Sequence, residues 1–388
     1  MSAEPSVIYA DNAATSFPKP PGVVETVCRL LGTTSLSPGR SAHAFSLESS
    51  RHIFDTRELL AELFNCPDSS RIAFTCNVTE ALNLGIFGLF GNRLQPGDHV
   101  ITTALEHNSV MRPLRYLEKT ADIKISLLPI DADGRVMTSE LARLRRSNTK
   151  LIVINHASNV TGGVVDLEAV GREKGDAFFM VDAAQSAGVF PLDVERMNID
   201  MLAFTGHKSL FGPTGTGGFY LRQGVMLRPM KMGGTGSNSE LESQPDFMPD
   251  CYESGTPNTL GIAGLGAGIS FIDKTGIGVI RAHEQGLRRL FLEGLRRMEH
   301  ITVYGPGNDS QCAAVVSLRV KGKSESEVAH ILDREFGITV RAGLHCAPAA
   351  HRAIGSFPAG TVRFSFGYFN TESDVATCLT ALDMIVKK

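Results

Sequence analysis

The sequence predicts an α/β protein: a mostly parallel seven-stranded sheet flanked by helices, with a smaller α+β domain after it. Two observations carry the prediction. Between residues 71 and 221, seven short β-branched or aromatic runs alternate with amphipathic stretches, and such alternation builds a parallel sheet covered on both faces. Beyond about residue 256 the order changes to two long helical patterns, then strands mixed with shorter helices. A third observation points to a site. Five of the predicted strands end on polar clusters, at 75–77, 106–108, 156–159, 182–185 and 205–208, and open α/β sheets gather their ligands at the carboxyl ends of strands.

Taken in order, the strand-like runs are 71–75, 99–102, 124–129, 151–155, 177–181, 201–205 and 218–221. Helix-like stretches fall at 79–90, 108–120, 138–145 and 166–174, each with apolar residues at helical rather than alternating spacing. In the second part, helical patterns at 259–275 and 278–300 precede strands at 301–303, 313–320, 337–341 and 361–366, with further helices at 325–335 and 372–387. The first forty residues, rich in Pro, Ser and Gly, read as an arm rather than a layer. The expected division is an arm over 1–20 that joins the small domain, a large domain over 21–256 and a small domain over 257–388.

Composition narrows the class. Apolar residues are 43% and charged residues 20% of the 388, ordinary globular usage rather than that of a disordered chain. A net charge of −3 gives no electrostatic footprint for nucleic acid. Seven cysteines without a CxxC pair make a poor disulfide framework and a poor zinc site, and suit a reducing compartment. The first twenty residues lack a basic start and an apolar core. The longest weakly polar run, 260–272, is too short to span a bilayer. The expectation is a soluble, cytoplasmic protein with no nucleic-acid or membrane partner and no metal.

Lys208 stands just beyond an apolar strand, beside Gly206 and His207. There it can lose water, drop its pKa and act as a Schiff-base lysine; otherwise it is a surface lysine with its stem over apolar neighbours. Asp182 ends the run 177–181, where a buried carboxylate is costly unless it meets a cation such as a pyridinium; the plainer role is a helix N-cap. The segment 75–80 leads from strand to helix. A helix start favours an anion such as phosphate, with Thr79, Thr205 and His207 as further donors, although Asn77 and Glu80 also fit an ordinary capping box.

Nine motifs in order carry a resemblance over nearly the whole chain: YADNAAT (9–15), FTCNVTEALN (74–83), EHNS (106–109), HASNVTG (156–162), VDAAQS (181–186), TGHK (205–208), ESGTPN (253–258), RAGLHCAP (341–348) and RFSFGYFNT (363–371). They resemble the class V aminotransferase family of pyridoxal 5'-phosphate enzymes with fold type I, and within it the cysteine desulfurase and selenocysteine lyase branch with a short RxGxHCA loop. The resemblance implies that Lys208 carries the cofactor and moves the substrate α-proton. It pairs Asp182 with the pyridine nitrogen and Gln185 with the ring oxygen, and stacks His107 on the ring as a further catalytic group. Val78, Thr79, Thr205 and His207 would hold the phosphate, with Thr256 reaching over from a second subunit of a homodimer. Asn159 and Arg363 would take the substrate carboxylate, Arg363 otherwise being a surface ion pair. Ala13, His43 and Arg341 would complete the substrate site.

Cys346 decides the subfamily. Gly343 and Pro348 frame a loop that presents one thiol beside His345 and Arg341, and positive charge favours the nucleophilic thiolate. Cys28, Cys66 and Cys378 read instead as buried, inert hydrophobes. The implied reaction converts L-cysteine to L-alanine: Cys346 attacks the substrate sulfur and the resulting persulfide passes to an acceptor protein. Leu344 stands where many relatives have a second histidine, and the short loop suggests that Cys346 swings less far. The alternatives are a selenocysteine lyase or cysteine-sulfinate desulfinase, an aminotransferase or epimerase on the same scaffold, and a non-enzymatic sulfur-trafficking protein.

Overall fold

The computed structural model describes residues 7–33, 38, 44–91, 93–237, 240, 242–307 and 311–387. Its main sheet has seven strands in the order Ile72–Thr75, Gly217–Leu221, Met201–Thr205, Phe178–Asp182, Thr149–Asn155, His99–Thr103, Lys124–Leu128. Only Gly217–Leu221 runs against the others. Side chains alternate across the sheet, as a period of two requires. Ile152, Ile154, Phe179, Val181, Leu202 and Phe204 enter one core, while Leu151, Val153, Phe178, Met180, Met201 and Ala203 enter the other. Burial on both faces is why these strands read as unbroken apolar runs.

The second sheet is antiparallel, in the order Arg341–Gly343, Thr361–Ser365, Val315–Val320, Ile301–Tyr304. It packs with the helices Ile277–Leu295, Glu325–Phe336 and Glu372–Lys387 around a third core that includes Phe291, Leu332, Phe364 and Leu382. The chain start joins this part. Ile8–Tyr9 pairs in parallel with Ile338–Thr339, and Asp11 bridges to Ser365.

Four sequence expectations need correction. The first forty residues are not arm throughout, because Pro21–Thr33 is a helix; a second helix, Ala44–Leu63, comes after it, and both pack on Thr259–Thr275. Neither announces itself. The first buries only Val23 and Leu30, and the second buries Ser46, Ser49, Thr56 and Arg57 beside Leu60 and Ala61, so apolar periodicity is lost. Cys28 is exposed, not buried, because it lies off the face that holds Val23 and Leu30. The expected strand 337–341 is two short strands, and the expected helix 278–300 stops at Leu295. No helix among the described residues is long and apolar enough to cross a membrane.

Candidate active site

Asp182 ends its strand opposite Asn155 on one side and Ala203 on the other. It is buried, and one carboxylate oxygen accepts from the amide of Ala184 at 2.9 Å. The chain turns directly after it instead of entering a helix, so the N-cap role is not the one it takes. Burial pushes the Asp182 pKa up, while the Ala184 amide and the charge of Lys208 pull it down. Lys208 answers it: burial lowers its pKa to about 8, with Asp182 opposing and Arg363 and Arg341 adding to the drop. An amine that sheds its proton near neutrality is what Schiff-base chemistry requires.

Thr75, Gly217 and Thr205 face one another across three strands. Gly217 permits this junction, since a Cβ there would lie 2.7 Å from Cα of Asn77. The helix Val78–Leu89 starts here. Asn77 Oδ1 caps the amide of Glu80 at 2.9 Å, and a Glu80 oxygen accepts from the amide of Cys76 at 2.7 Å. The expected capping box is therefore present in modified form. The amides of Val78 and Thr79 still lie in the first turn, where no helix carbonyl reaches them. Thr79 is exposed, Thr205 is buried, and the half-buried His207 has a buried Nδ1 with no partner. Burial and the charges of Lys208 and Lys19 hold His207 down to about 4.

The loop with Cys346 meets the sheet from the other side. Asn159 Nδ2 donates to the carbonyl of His345 at 2.8 Å, and the amide of Asn108 donates to the carbonyl of Cys346 at 2.8 Å. His345 and Cys346 both take left-handed backbone angles, with φ of +47° and +57°, a strained arrangement that such anchors must hold. Cys346 is exposed, with its sulfur 3.6 Å from a guanidinium nitrogen of Arg341. His107 caps the neighbouring helix, its Nδ1 accepting from the amide of Ser109 at 3.1 Å. Burial, then Lys208 and Arg341, lower its pKa to about 4. A neutral ring suits a stacking partner.

Arg363 is fully buried, which overturns its reading as a surface ion pair. It donates to Asp11 at 2.7 Å and to the carbonyl of Asn159 at 3.1 Å, while its Nε and the Oδ1 of Asn159 are buried without partners. Ala13 links the two sides, its carbonyl accepting from Gln185 Nε2 and its amide donating to Ser365 Oγ, each at 2.9 Å. Thr256 is exposed and lines a cleft of about 110 Å³ with Thr75, Cys76, Glu80 and Lys231. His43 lies outside the described residues. Sequence reasoning missed roles for Asp11 and Glu106. Glu106 is wholly buried, accepts from Thr103 Oγ1 and the amide of Asn155, and is pushed by burial to about 8. Both stand inside quoted motifs, and Glu106 also lies in the polar cluster 106–108 at a strand end.

Three features fit pyridoxal phosphate: a buried carboxylate facing a lysine, a helix start beside an unpartnered imidazole nitrogen, and buried polar atoms left open at Asn159 and Arg363. Fold and site together define an enzyme of the lysine-dependent pyridoxal-phosphate class. Residues 8–377 match the family described as aminotransferase class-V. The chain belongs to that family, whose members depend on pyridoxal phosphate. It is 37% identical to a "Probable cysteine desulfurase" of Pyrococcus abyssi, over 98% of this chain and 94% of that one. A protein of the same description from Methanothermobacter thermautotrophicus is 33% identical, over 95% and 92%. Among solved structures, the apo cysteine desulfurase of Thermococcus onnurineus superposes with a TM-score of 0.91 at 35% identity, covering 98% of this chain and 95% of that one. The Escherichia coli cysteine desulfurase CsdA gives 0.87 at 29% identity, with the same coverage.

Proposed function

We propose that this chain is a cysteine desulfurase that takes sulfur from L-cysteine, leaves L-alanine and passes the sulfur from Cys346 to an acceptor protein. The observation that carries the reading is the exposed Cys346 thiol, fixed by its own backbone and set against Arg341, on the loop that meets the Lys208–Asp182 pair. Bound pyridoxal phosphate supplies an electron sink for charge developing at the substrate α-carbon. Asp182 would hold the pyridine nitrogen, Gln185 the ring oxygen and His107 the ring face, with Val78, Thr79, Thr205 and His207 on the phosphate. Thr256 would act on the phosphate of a second copy, which makes the working unit a homodimer.

The chain's own groups divide the work. Arg363 would receive the substrate carboxylate on its open Nε–H and Asn159 on the second N–H of its Nδ2, with Ala13 and Arg341 around the substrate. Lys208 Nζ takes the proton from the α-carbon. Cys346, as thiolate beside Arg341, attacks the substrate sulfur; the new S–S bond forms as the C–S bond breaks, and the electron pair stays on the carbon fragment. That fragment gains a proton at the β-carbon, recovers the α-proton from Lys208 and leaves as alanine, and Cys346 retains the sulfur as a persulfide. Of the division proposed from sequence, 21–256 would be the cofactor side and 257–388 the thiol side, with the described part of the arm, 7–20, contacting both.

The test is alanine release from L-cysteine and from L-selenocysteine by the parent and by Cys346→Ala. Loss with cysteine but retention with selenocysteine in the variant supports the reading. Turnover by the parent of selenocysteine alone makes it a selenocysteine lyase. No alanine from either substrate brings the aminotransferase reading forward.

A further inference from the structure

The carbonyl oxygen of His207 accepts from Lys19 Nζ at 2.7 Å, from Thr15 Oγ1 at 2.9 Å and from the amide of Ser16 at 3.0 Å. The next carbonyl, that of Lys208, accepts from Ser16 Oγ at 2.8 Å, and the same hydroxyl accepts from Lys19 Nζ at 2.8 Å. Lys19 thus braces, directly and through one hydroxyl, both peptide groups that flank the Cα of Lys208. Among the described residues no carboxylate offsets the cost of holding an ammonium there, and burial lowers its pKa to about 8. A desolvated cation without a counter-ion is unfavourable, and its hydrogen bonds are spent on the backbone of a candidate site residue.

The brace belongs to a longer strap. Before reaching Lys19 the chain gives Asp11 to Arg363 and the Ala13 carbonyl to Gln185. The segment therefore ties the candidate carboxylate and ring contacts to the lysine. Its charge also acts on the His207 ring, together with that of Lys208. The charged groups that act on Lys208 itself are Asp182, Arg363, Arg341 and Asp11.

We propose that Lys19 is a positioning residue for Lys208: its ammonium fixes the two peptide groups around that residue and so aims the Lys208 amine at the face where Asp182 lies. The proposal rests on Lys208 being the cofactor-bearing lysine. Orientation of this kind is costly to lose, since small misplacement of a reacting group slows chemistry more than it weakens binding.

The experiment compares the parent holoenzyme with Lys19→Gln, which keeps a donor and loses the charge, and Lys19→Arg, which keeps both. The visible absorbance of the bound cofactor is titrated against pH, and kcat and KM for L-cysteine are measured. In Lys19→Gln the apparent pKa of the band moves by about half a unit as the Lys208 amine shifts relative to Asp182, Arg363 and Arg341, the groups that act on it. In the same variant kcat falls about tenfold with KM little changed. Lys19→Arg returns both toward the parent. Ser16→Ala gives a second route: it removes the hydroxyl that joins Lys19 to the Lys208 carbonyl while leaving the direct Lys19 bond to His207, and so lowers kcat and moves the band less than Lys19→Gln. A Lys19→Gln enzyme that titrates and turns over like the parent, or that differs only in thermal stability, overturns the proposal. A band that survives Lys208→Ala would instead sink the assignment of Lys208, so the two failures are distinguishable.

Discussion

The amide of Asn108 donates to the carbonyl of Cys346 at 2.8 Å, joining the first residue of the helix behind His107 to the thiol loop. One helix start therefore sets both the candidate ring-stacking imidazole and the candidate nucleophile. With the second anchor, from Asn159 to His345, it holds two successive non-glycine residues in the left-handed region. The loop is held by backbone bonds, while the sulfur itself meets the Arg341 guanidinium at 3.6 Å.

Asn159→Ala tests the second anchor. It strips the His345 carbonyl of its donor in a buried place, a loss of about 1–3 kcal/mol. The expected result is a fall in kcat/KM for L-cysteine of roughly 5- to 150-fold. A variant within twofold of the parent would mean that the loop holds its strained angles without Asn159.

Arg363→Lys is the second prediction. A lysine cannot donate to Asp11 and to the Asn159 carbonyl from one planar fork while keeping a further N–H for substrate. KM for L-cysteine rises by roughly a hundredfold, the scale of losing a charge-assisted, buried contact. Asp11→Asn, which keeps the shape of the partner but not its charge, gives a smaller rise. If KM stays put in Arg363→Lys, the carboxylate binds elsewhere.

How much of this was legible in sequence depends on the kind of signal. The strands of the main sheet were plain because residues such as Ile152 and Val153 are buried on opposite faces and so leave no polar gap. Lys208 and Asp182 were plain because each stands just past such a run. The helix Ala44–Leu63 was not, since Arg57 is buried by a 2.7 Å pair with Glu253 and by donation to the carbonyl of Ile72. A polar residue buried by a distant partner reads as surface in sequence. The pairing of Arg363 with Asp11, 352 positions apart, was hidden for the same reason, and so was the grip of Lys19 on His207.

Glu284 gives a pH prediction away from the site. It is buried on the helix Ile277–Leu295, and burial pushes its pKa from 4.5 to about 8. The folded state therefore binds a proton that the unfolded chain releases as pH rises above 4.5. Its contribution to stability is whole at low pH and is lost on the way to about pH 8. Glu284→Gln removes that titration. Thermal melts at pH 5 and pH 8, about the ends of the window, should show the variant gaining on the parent at the higher value. An equal difference at both would mean that Glu284 is ionised in the fold.

The last prediction separates Cys346 from the other six thiols. Cys28, Cys76 and Cys346 are exposed, whereas Cys66, Cys251, Cys312 and Cys378 are buried. Burial raises the Cys66 pKa and lifts Cys251 and Cys378 to about 11 and about 12. Only a thiolate alkylates readily, so brief iodoacetamide treatment of the native protein should mark the three exposed positions and spare the four buried ones. Cys76 should lag, because burial and Glu80 raise its pKa, whereas Cys346 has the Arg341 guanidinium 3.6 Å from its sulfur. Incubation with L-cysteine before labelling should then add one sulfur to Cys346 and to no other position, seen by peptide mass spectrometry. An added sulfur on Cys28 or Cys76 instead, with Cys346 unmodified, would move the nucleophile off the loop and remove the observation on which the desulfurase reading stands.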